Sequence, residues 1–238
     1  KEETRYIPPV VIASNRLSHW DQKIAIIGAG PAGLSCAYYL AAKGYQPTVF
    51  EKHACPGGMM TYGIPSYKLE KDVIDAEIEV IRQLGVEIKC GVEVGKDVTL
   101  EELRAEGYQA FYIAIGCQGG KLPEIPGADA KGTQLAVSFL HDAIENQDQK
   151  MEGKTVIIGG GNVAIDCART SYRFGGEDVA MFCLESREEM PASQEEIQEA
   201  LEEDITIHNG WGPKEILKNA DGGVKAVVFQ KCTSVFGE

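Results

Sequence analysis

The sequence predicts an α/β chain built from two Rossmann-like βαβ units, each with a parallel sheet. Three observations carry that prediction. Short uncharged apolar runs alternate with segments of helical period, the pattern of parallel strands buried on both faces. A strand, a G-x-G-x-x-(G/A) turn and a helix occur twice, as "IAIIGAGPAGLSCA" (24–37) and "VIIGGGNVAIDCAR" (156–169). Each is followed by a second apolar run ending in a glutamate, Glu51 and Glu185.

Bulk properties agree. The chain has 238 residues, 44% hydrophobic and 25% charged, enough for two modest domains with separate cores. Its net charge of −13 repels nucleic acid, so an anionic ligand must be held by local backbone dipoles. The cysteines at 36, 55, 90, 117, 167, 183 and 232 form no CxxC or Cx4C pair, the spacing used by zinc, iron–sulfur and flavin-linked disulfide sites. Scattered free thiols suit a reducing cytoplasm. The histidines at 19, 53, 141 and 208 are equally scattered, so no metal site is expected. Residues 24–42 lack charge over the length of a membrane span, but Gly28, Gly30, Pro31 and Gly33 divide them into strand, turn and helix. The opening "KEETRY" has neither an apolar run nor an initiator Met, which suggests a processed chain or a piece of a longer one.

Read in order, residues 1–22 are a polar lead-in arm with Pro8 and Pro9. Lys23 to Gly28 is a strand, Ala32 to Lys43 a helix opened by Pro31 and stopped at Gly44, and Pro47 to Lys52 a strand. Gly57 to Pro65 has too many glycines for a regular element and reads as a loop. Leu69 to Leu84 repeats apolar residues with helical period, Val86 to Val94 reads as strands, and Thr99 to Gly107 opens on a capping box. Gln109 to Gly116 is a further buried strand, then come a proline-punctuated linker and a short helix over Ser138 to Asn146. The second unit follows: strand from Lys154, helix Asn162 to Phe174, strand Asp178 to Glu185, helix Ser193 to Glu203, strand "DITIH" and a last strand "VKAVVFQKC".

In each turn the first glycine permits the bend, the second lets backbone approach a pyrophosphate, and the third lets helix pack on strand. Gly28, Gly30 and Gly33 fill the first set; Gly159, Gly161 and Ala164 fill the second. An acid about 20 residues on accepts ribose hydroxyls. Glu51 follows Gly28 by 23 positions and Glu185 follows Gly159 by 26. Two bound dinucleotides imply a relay, with FAD on the first turn, where Gly57 and Gly58 let backbone run close, and a nicotinamide nucleotide on the second.

"CPGGMMTYGIPSYKL" and "GGGNVAIDCARTSYRFGGEDVAMFCLESREEMPA" carry a resemblance. The chain, from about Trp20 onward, resembles the flavin-dependent electron-transfer module of the glutamate synthase small subunit and dihydropyrimidine dehydrogenase. The resemblance implies hydride transfer from NAD(P)H to FAD, single electrons passed to an iron–sulfur domain or subunit, and a nicotinamide domain inserted in the flavin domain. It divides the chain into an FAD-binding part at 23–130 and an NAD(P)-binding part at 131–238. It assigns FAD contacts to Gly28, Gly30, Pro31, Ala32, Gly33, Glu51, Lys52, Gly58, Met59, Gly63, Ile64 and Lys68, with Ala114 and Gly116 in "YIAIG". It assigns the nicotinamide nucleotide to Gly159, Gly160, Gly161, Asn162, Val163 and Ala164. Asp166 stands either near the meeting rings or as a plain helix residue.

Three departures follow. Many members of the family carry two arginines where Leu184 and Glu185 stand here. A carboxylate at 185 favours a ribose diol over a 2′-phosphate, hence NADH over NADPH, with Arg187 as a compensator. The cysteine-rich cluster domain that often precedes the module is not in this sequence. The sequence also stops before the family's returning flavin segment, so FAD is expected to bind weakly or with the remainder of a larger chain. The alternatives are a non-catalytic nucleotide-binding fragment and a flavin disulfide reductase, the latter disfavoured by the cysteine spacing.

Overall fold

The computed structural model describes residues 19–235. The expected lead-in arm lies outside these as far as residue 18. The chain forms two compact units that divide after Cys117.

In the first unit β1 (Lys23–Ile27), α1 (Pro31–Ala42) and β2 (Gln46–Glu51) make a βαβ unit. The chain continues through α2 (Met59–Tyr62), α3 (Lys71–Gln83), β3 (Glu87–Cys90), α4 (Leu100–Ala105) and β4 (Tyr108–Ile113). The strands lie parallel in the order β3-β2-β1-β4. Central β1 and β2 are buried on both faces, which is why both read as continuous apolar runs. Pro31 opens α1 and Gly44, at φ +94°, follows its end. The apolar face of α3 buries Ile74 and Ile78 beside Leu34 and Ala37 of α1. The expected capping box forms on α4: Thr99 Oγ1 accepts the Glu102 N–H at 3.2 Å, and the Thr99 N–H donates to Glu102 Oε2 at 2.8 Å.

Three expectations change here. The stretch 57–65 holds the one-turn helix α2, because Gly58 supplies the turn into it. Of 86–94 only Glu87–Cys90 is strand. The strand expected at 109–116 is β4, an edge strand with a neighbour on one side, so Ile113 is 56% exposed instead of buried.

The second unit contains α5 (Ala136–Glu145), β5 (Lys154–Ile158), α6 (Asn162–Arg173), β6 (Asp178–Cys183), α7 (Gln194–Glu202) and β7 (Thr206–Asn209). An antiparallel pair follows, β8 (Trp211–Lys218) and β9 (Val224–Lys231). The parallel sheet runs β5-β6-β7. Ile165, Met181, Ile197 and Ile205 form its fully covered core between sheet and helices. β8 is missing from the sequence reading because Gly212 and Pro213 break the strand pattern; the pair absorbs them with an irregularity between Pro213 and Glu215. The segment 118–130, grouped by sequence with the first domain, packs in the second unit. The Ile216 N–H donates to the Pro126 carbonyl at 2.9 Å, and Lys218 pairs with Asp129 at 2.8 Å.

A buried cation fastens α6 to α7. The Arg169 side chain is 7% exposed; it pairs with Glu199, and its Nη2 donates to Glu203 Oε1 at 2.8 Å. Arg173 Nη2 reaches the same oxygen at 2.6 Å. Burial alone would raise the Glu203 carboxyl, but the hydrogen bonds from Arg173 and Arg169 outweigh it and leave it below its ordinary value. A depressed carboxyl contributes stability at pH values above its unfolded pKa, near 4.3, and loses it as the pH falls through the lower folded value. Arg169→Met leaves those acids facing each other and should lower stability by about 3 kcal/mol at neutral pH. Urea unfolding followed by circular dichroism checks this, and the variant should lose less stability than the wild type on acidification.

Candidate functional site

At the end of β1 the chain turns through Gly28, whose N–H donates to the Phe50 carbonyl of β2 at 2.8 Å. Its φ is +104°, and an added Cβ would lie 2.4 Å from the Ala114 carbonyl oxygen. Gly33, in the first turns of α1, faces back on the bend: a Cβ there would lie 1.9 Å from the Gly28 carbonyl oxygen. Strand, turn and helix meet backbone to backbone, as the spacing of the glycines predicts. Gly30 precedes α1, with Pro31 and Ala32 exposed after it. First-turn N–H groups have no helical acceptor, and with the positive helix end they make an anion-holding arrangement.

Glu51 closes β2 and is 5% exposed. Its Oε2 accepts the Ala29 N–H at 2.8 Å and its Oε1 the His53 N–H at 2.9 Å. The carboxylate therefore fixes the glycine turn itself, and each oxygen keeps a second lone pair for another donor. The 57–64 loop presses on the same turn. The Gly57 N–H donates to the Ala29 carbonyl at 2.7 Å, and a Cβ on Gly58 would lie 2.8 Å from the Gly30 Cα. Met59 opens α2, and its carbonyl accepts the N–H groups of Gly63 and Ile64, each at 2.9 Å.

Two residues that hold this loop were missed by sequence reasoning, Lys71 from the start of α3 and Tyr62 within the loop. Lys71 Nζ donates to the carbonyls of Met60 at 2.8 Å and Ile64 at 2.6 Å, and burial lowers its pKa. The Tyr62 hydroxyl accepts the Cys55 N–H at 2.8 Å, its ring lies 4.6 Å from the His53 ring, and burial pushes it up to about 12. Lys52 and Lys68, singled out in the sequence, are exposed, as is Gly116. Ala114 forms the floor under Gly28 and donates its N–H to Ile27 at 2.8 Å.

The second turn repeats the first. The Gly159 N–H donates to the Phe182 carbonyl at 2.9 Å, with φ at +140°. Ala164 stands in place of the third glycine; its Cβ would be 3.4 Å from one added at Gly159, an ordinary contact. The chain over 183–193 wraps this turn. A Cβ on Gly160 would lie 3.0 Å from Cys183 Cβ, 3.0 Å from Glu185 Oε2 and 3.3 Å from Met190 Cγ. The Ala192 N–H donates to the Gly160 carbonyl at 3.0 Å and the Ser193 N–H to Asn162 Oδ1 at 2.9 Å. Nothing lies within 4 Å of a Cβ on Gly161, so the mouth of α6 is open there. Val163 is half-exposed beside it. Arg187 Nη1 donates to Gln194 Oε1 at 3.1 Å.

Asp166 is buried in α6 and adds to the burial that pushes the Cys167 thiol up to about 12, so that thiol is no nucleophile. Among the described residues no group of three or more His, Cys, Asp or Glu side chains could hold a metal, and no helix is long and apolar enough to cross a membrane.

Comparison with known proteins matches the chain in sequence and in fold. The sequence model of the family described as pyridine nucleotide-disulphide oxidoreductase matches residues 22–236. The chain is 44% identical over 190 residues to the NADP(+)-dependent formate dehydrogenase subunit beta of Moorella thermoacetica, covering 79% of this chain and 27% of that one. It is 38% identical over 217 residues to the glutamate synthase (NADPH) small chain of Escherichia coli, covering 87% of this chain and 46% of that one. It is 41% identical over 192 residues to the Escherichia coli NAD-dependent dihydropyrimidine dehydrogenase subunit PreT, covering 80% and 46%. The chain spans less than half the length of these relatives. The fold matches Mycobacterium tuberculosis FprA in complex with NADPH at a TM-score of 0.73 and 18% identity, over 88% of this chain and 63% of that one. It matches Lactococcus lactis thioredoxin reductase at 0.66 and 23%, over 90% and 72%.

Different positions in these turns make opposite demands on side-chain volume. Gly33→Ala drives a methyl into the Gly28 carbonyl and should destabilise the chain by at least about 2 kcal/mol. Gly161→Ala meets open space and should leave the unfolding midpoint within experimental error. Parallel thermal melts followed by circular dichroism read both outcomes.

Proposed function

This chain belongs to the pyridine nucleotide-disulphide oxidoreductase family, and we propose that it is a module taking hydride from NADH to FAD and feeding electrons to an iron–sulfur domain or subunit. One observation supports the relay above all: two glycine turns of one design, each with a glutamate carboxylate against it. The residues fit the groups they would hold. Gly30 leaves no side chain between backbone and an FAD pyrophosphate, Gly28, Gly33 and Gly58 let strand, helix and loop close up around it, and Glu51 arrives already aimed. Lys71 holds the 59–64 turn by its carbonyls, which keeps Met59, Gly63 and Ile64 in place. Gly159, Gly160, Gly161, Asn162, Val163 and Ala164 would hold the nicotinamide nucleotide at the start of α6. When bound, FAD supplies hydride acceptance and one-electron release; the protein supplies orientation and electrostatics. The relatives are named as subunits or chains of larger enzymes, which supports a partner as the electron acceptor.

The choice of coenzyme rests on this chain's own residues, since one relative is named for NAD and others for NADP(H). The Glu185 carboxylate at the second turn accepts hydroxyl donors and repels a 2′-phosphate. Arg187 Nη1 donates to the uncharged Gln194 amide, and the side chain keeps its charge and its remaining donors, so it stands as the compensator whose effect the rates below measure. A charge-assisted hydrogen bond of about 1.5–3 kcal/mol corresponds to roughly tenfold to a hundredfold preference for NADH.

The test is the chain reconstituted with FAD under anaerobic conditions. The visible flavin absorbance should bleach on mixing with NADH, and stopped-flow traces should show NADPH at least tenfold slower at equal concentration. A chain that takes up FAD but is not bleached by either nucleotide would leave a nucleotide-binding piece without the relay. Equal rates with both nucleotides would remove the role given to Glu185.

A further inference from the structure

The two turns differ in how the carboxylate beside them is held. Gly28 pairs with the Phe50 carbonyl and Gly159 with the Phe182 carbonyl, so the residue in the register of Glu51 is Cys183. Glu185 stands two positions further on, past the end of β6. A side chain there is aimed only as well as the 183–190 loop is fixed.

Asn209 ends β7 directly opposite Cys183. Its Nδ2 donates to the Glu185 carbonyl at 3.3 Å and lies 3.1 Å from Cys183 Sγ and 3.6 Å from Met190 Sδ. The Gly210 N–H donates to the same Glu185 carbonyl at 3.0 Å, and the Gly210 carbonyl accepts the Cys232 N–H at 2.7 Å. One carboxamide therefore touches the same three residues, Cys183, Glu185 and Met190, that wall Gly160. Thiol and thioether sulfur are weak acceptors, so the carbonyl bond carries the directional part of this brace.

We infer that Asn209 is a positioning residue for coenzyme discrimination: by holding the Glu185 main chain it sets where that carboxylate stands at the turn. This rests on the reading of Glu185 as the acceptor of ribose hydroxyls. A leucine at 209 keeps the bulk and removes both N–H donors. The Glu185 carbonyl then keeps the Gly210 N–H and the weak Cys183 thiol at 3.7 Å, the carboxylate spreads over more positions, and both the bond to a diol and the repulsion of a 2′-phosphate weaken.

Titration calorimetry of the whole chain with NADH and with NADPH tests this, using wild type, Asn209→Leu, Asn209→Ser, Glu185→Ala and the Glu185→Ala/Asn209→Leu pair. Both Asn209 variants should reduce the ratio of the NADPH to the NADH dissociation constant at least fivefold. In the Glu185→Ala background the Asn209→Leu change should alter that ratio less than twofold, because the effect runs through the carboxylate. Equal weakening of both nucleotides with the ratio unchanged overturns the inference, as does a full-sized ratio change without Glu185. If Asn209→Leu does not fold, Asn209→Ser decides by the same ratio. A wild-type chain that binds neither nucleotide overturns the underlying reading of the site, whereas a wild type that prefers NADH beside an unchanged Asn209→Ser ratio overturns the role of Asn209 alone.

Discussion

One hydrogen bond, made twice, sets the geometry of both units. The N–H of the first glycine after the opening strand of each βαβ unit donates to the carbonyl of a phenylalanine on the next parallel strand, Gly28 to Phe50 and Gly159 to Phe182. That bond extends the ladder one residue past the strand, so the chain must turn at once and at positive φ. Everything nearby follows from the sharpness of the bend. The helix has to start within three residues, its small third position has to lie on the bend, and the tip of the neighbouring strand has to sit beside it.

A net charge of −13 makes such local arrangements necessary. A net negative charge gives no overall attraction to phosphate, so main-chain dipoles and helix ends must act at short range, where solvent and salt screen them least. Several acids near these elements are themselves constrained. Glu51 is tied to two amides. The acids facing α6 are gathered on Arg169 and Arg173.

Much of this is legible in the residues. Glycine spacing, Pro31 at a helix start and the Thr99–Glu102 capping box are local signals, each decided by contacts within a few positions, and the structure has all of them. What was not legible depends on distant partners. The helix α2 survives among glycines because Lys71, from the start of α3, holds its carbonyls. β8 exists despite Gly212 and Pro213 because β9 pairs with it through an irregularity. β4 looks buried in composition and is exposed because of its place at the sheet edge. In the site, counting from Gly159 to Glu185 finds an acid near the turn but not its register. Only the strand pairing shows that Cys183 stands where Glu51 does, and only the fold brings Asn209 there.

That offset of two positions separates an acid whose side chain holds the frame from one whose main chain does. Replacing Glu51 would strip acceptors from a buried amide and a half-buried one, so the first turn cannot change its acid without risking its architecture. The side chain of residue 185 carries no sheet bond; its contribution to the frame is made by the main chain, which any amino acid supplies. A change of charge at residue 185 therefore leaves the bonds that its main chain makes to Asn209 and Gly210 in place.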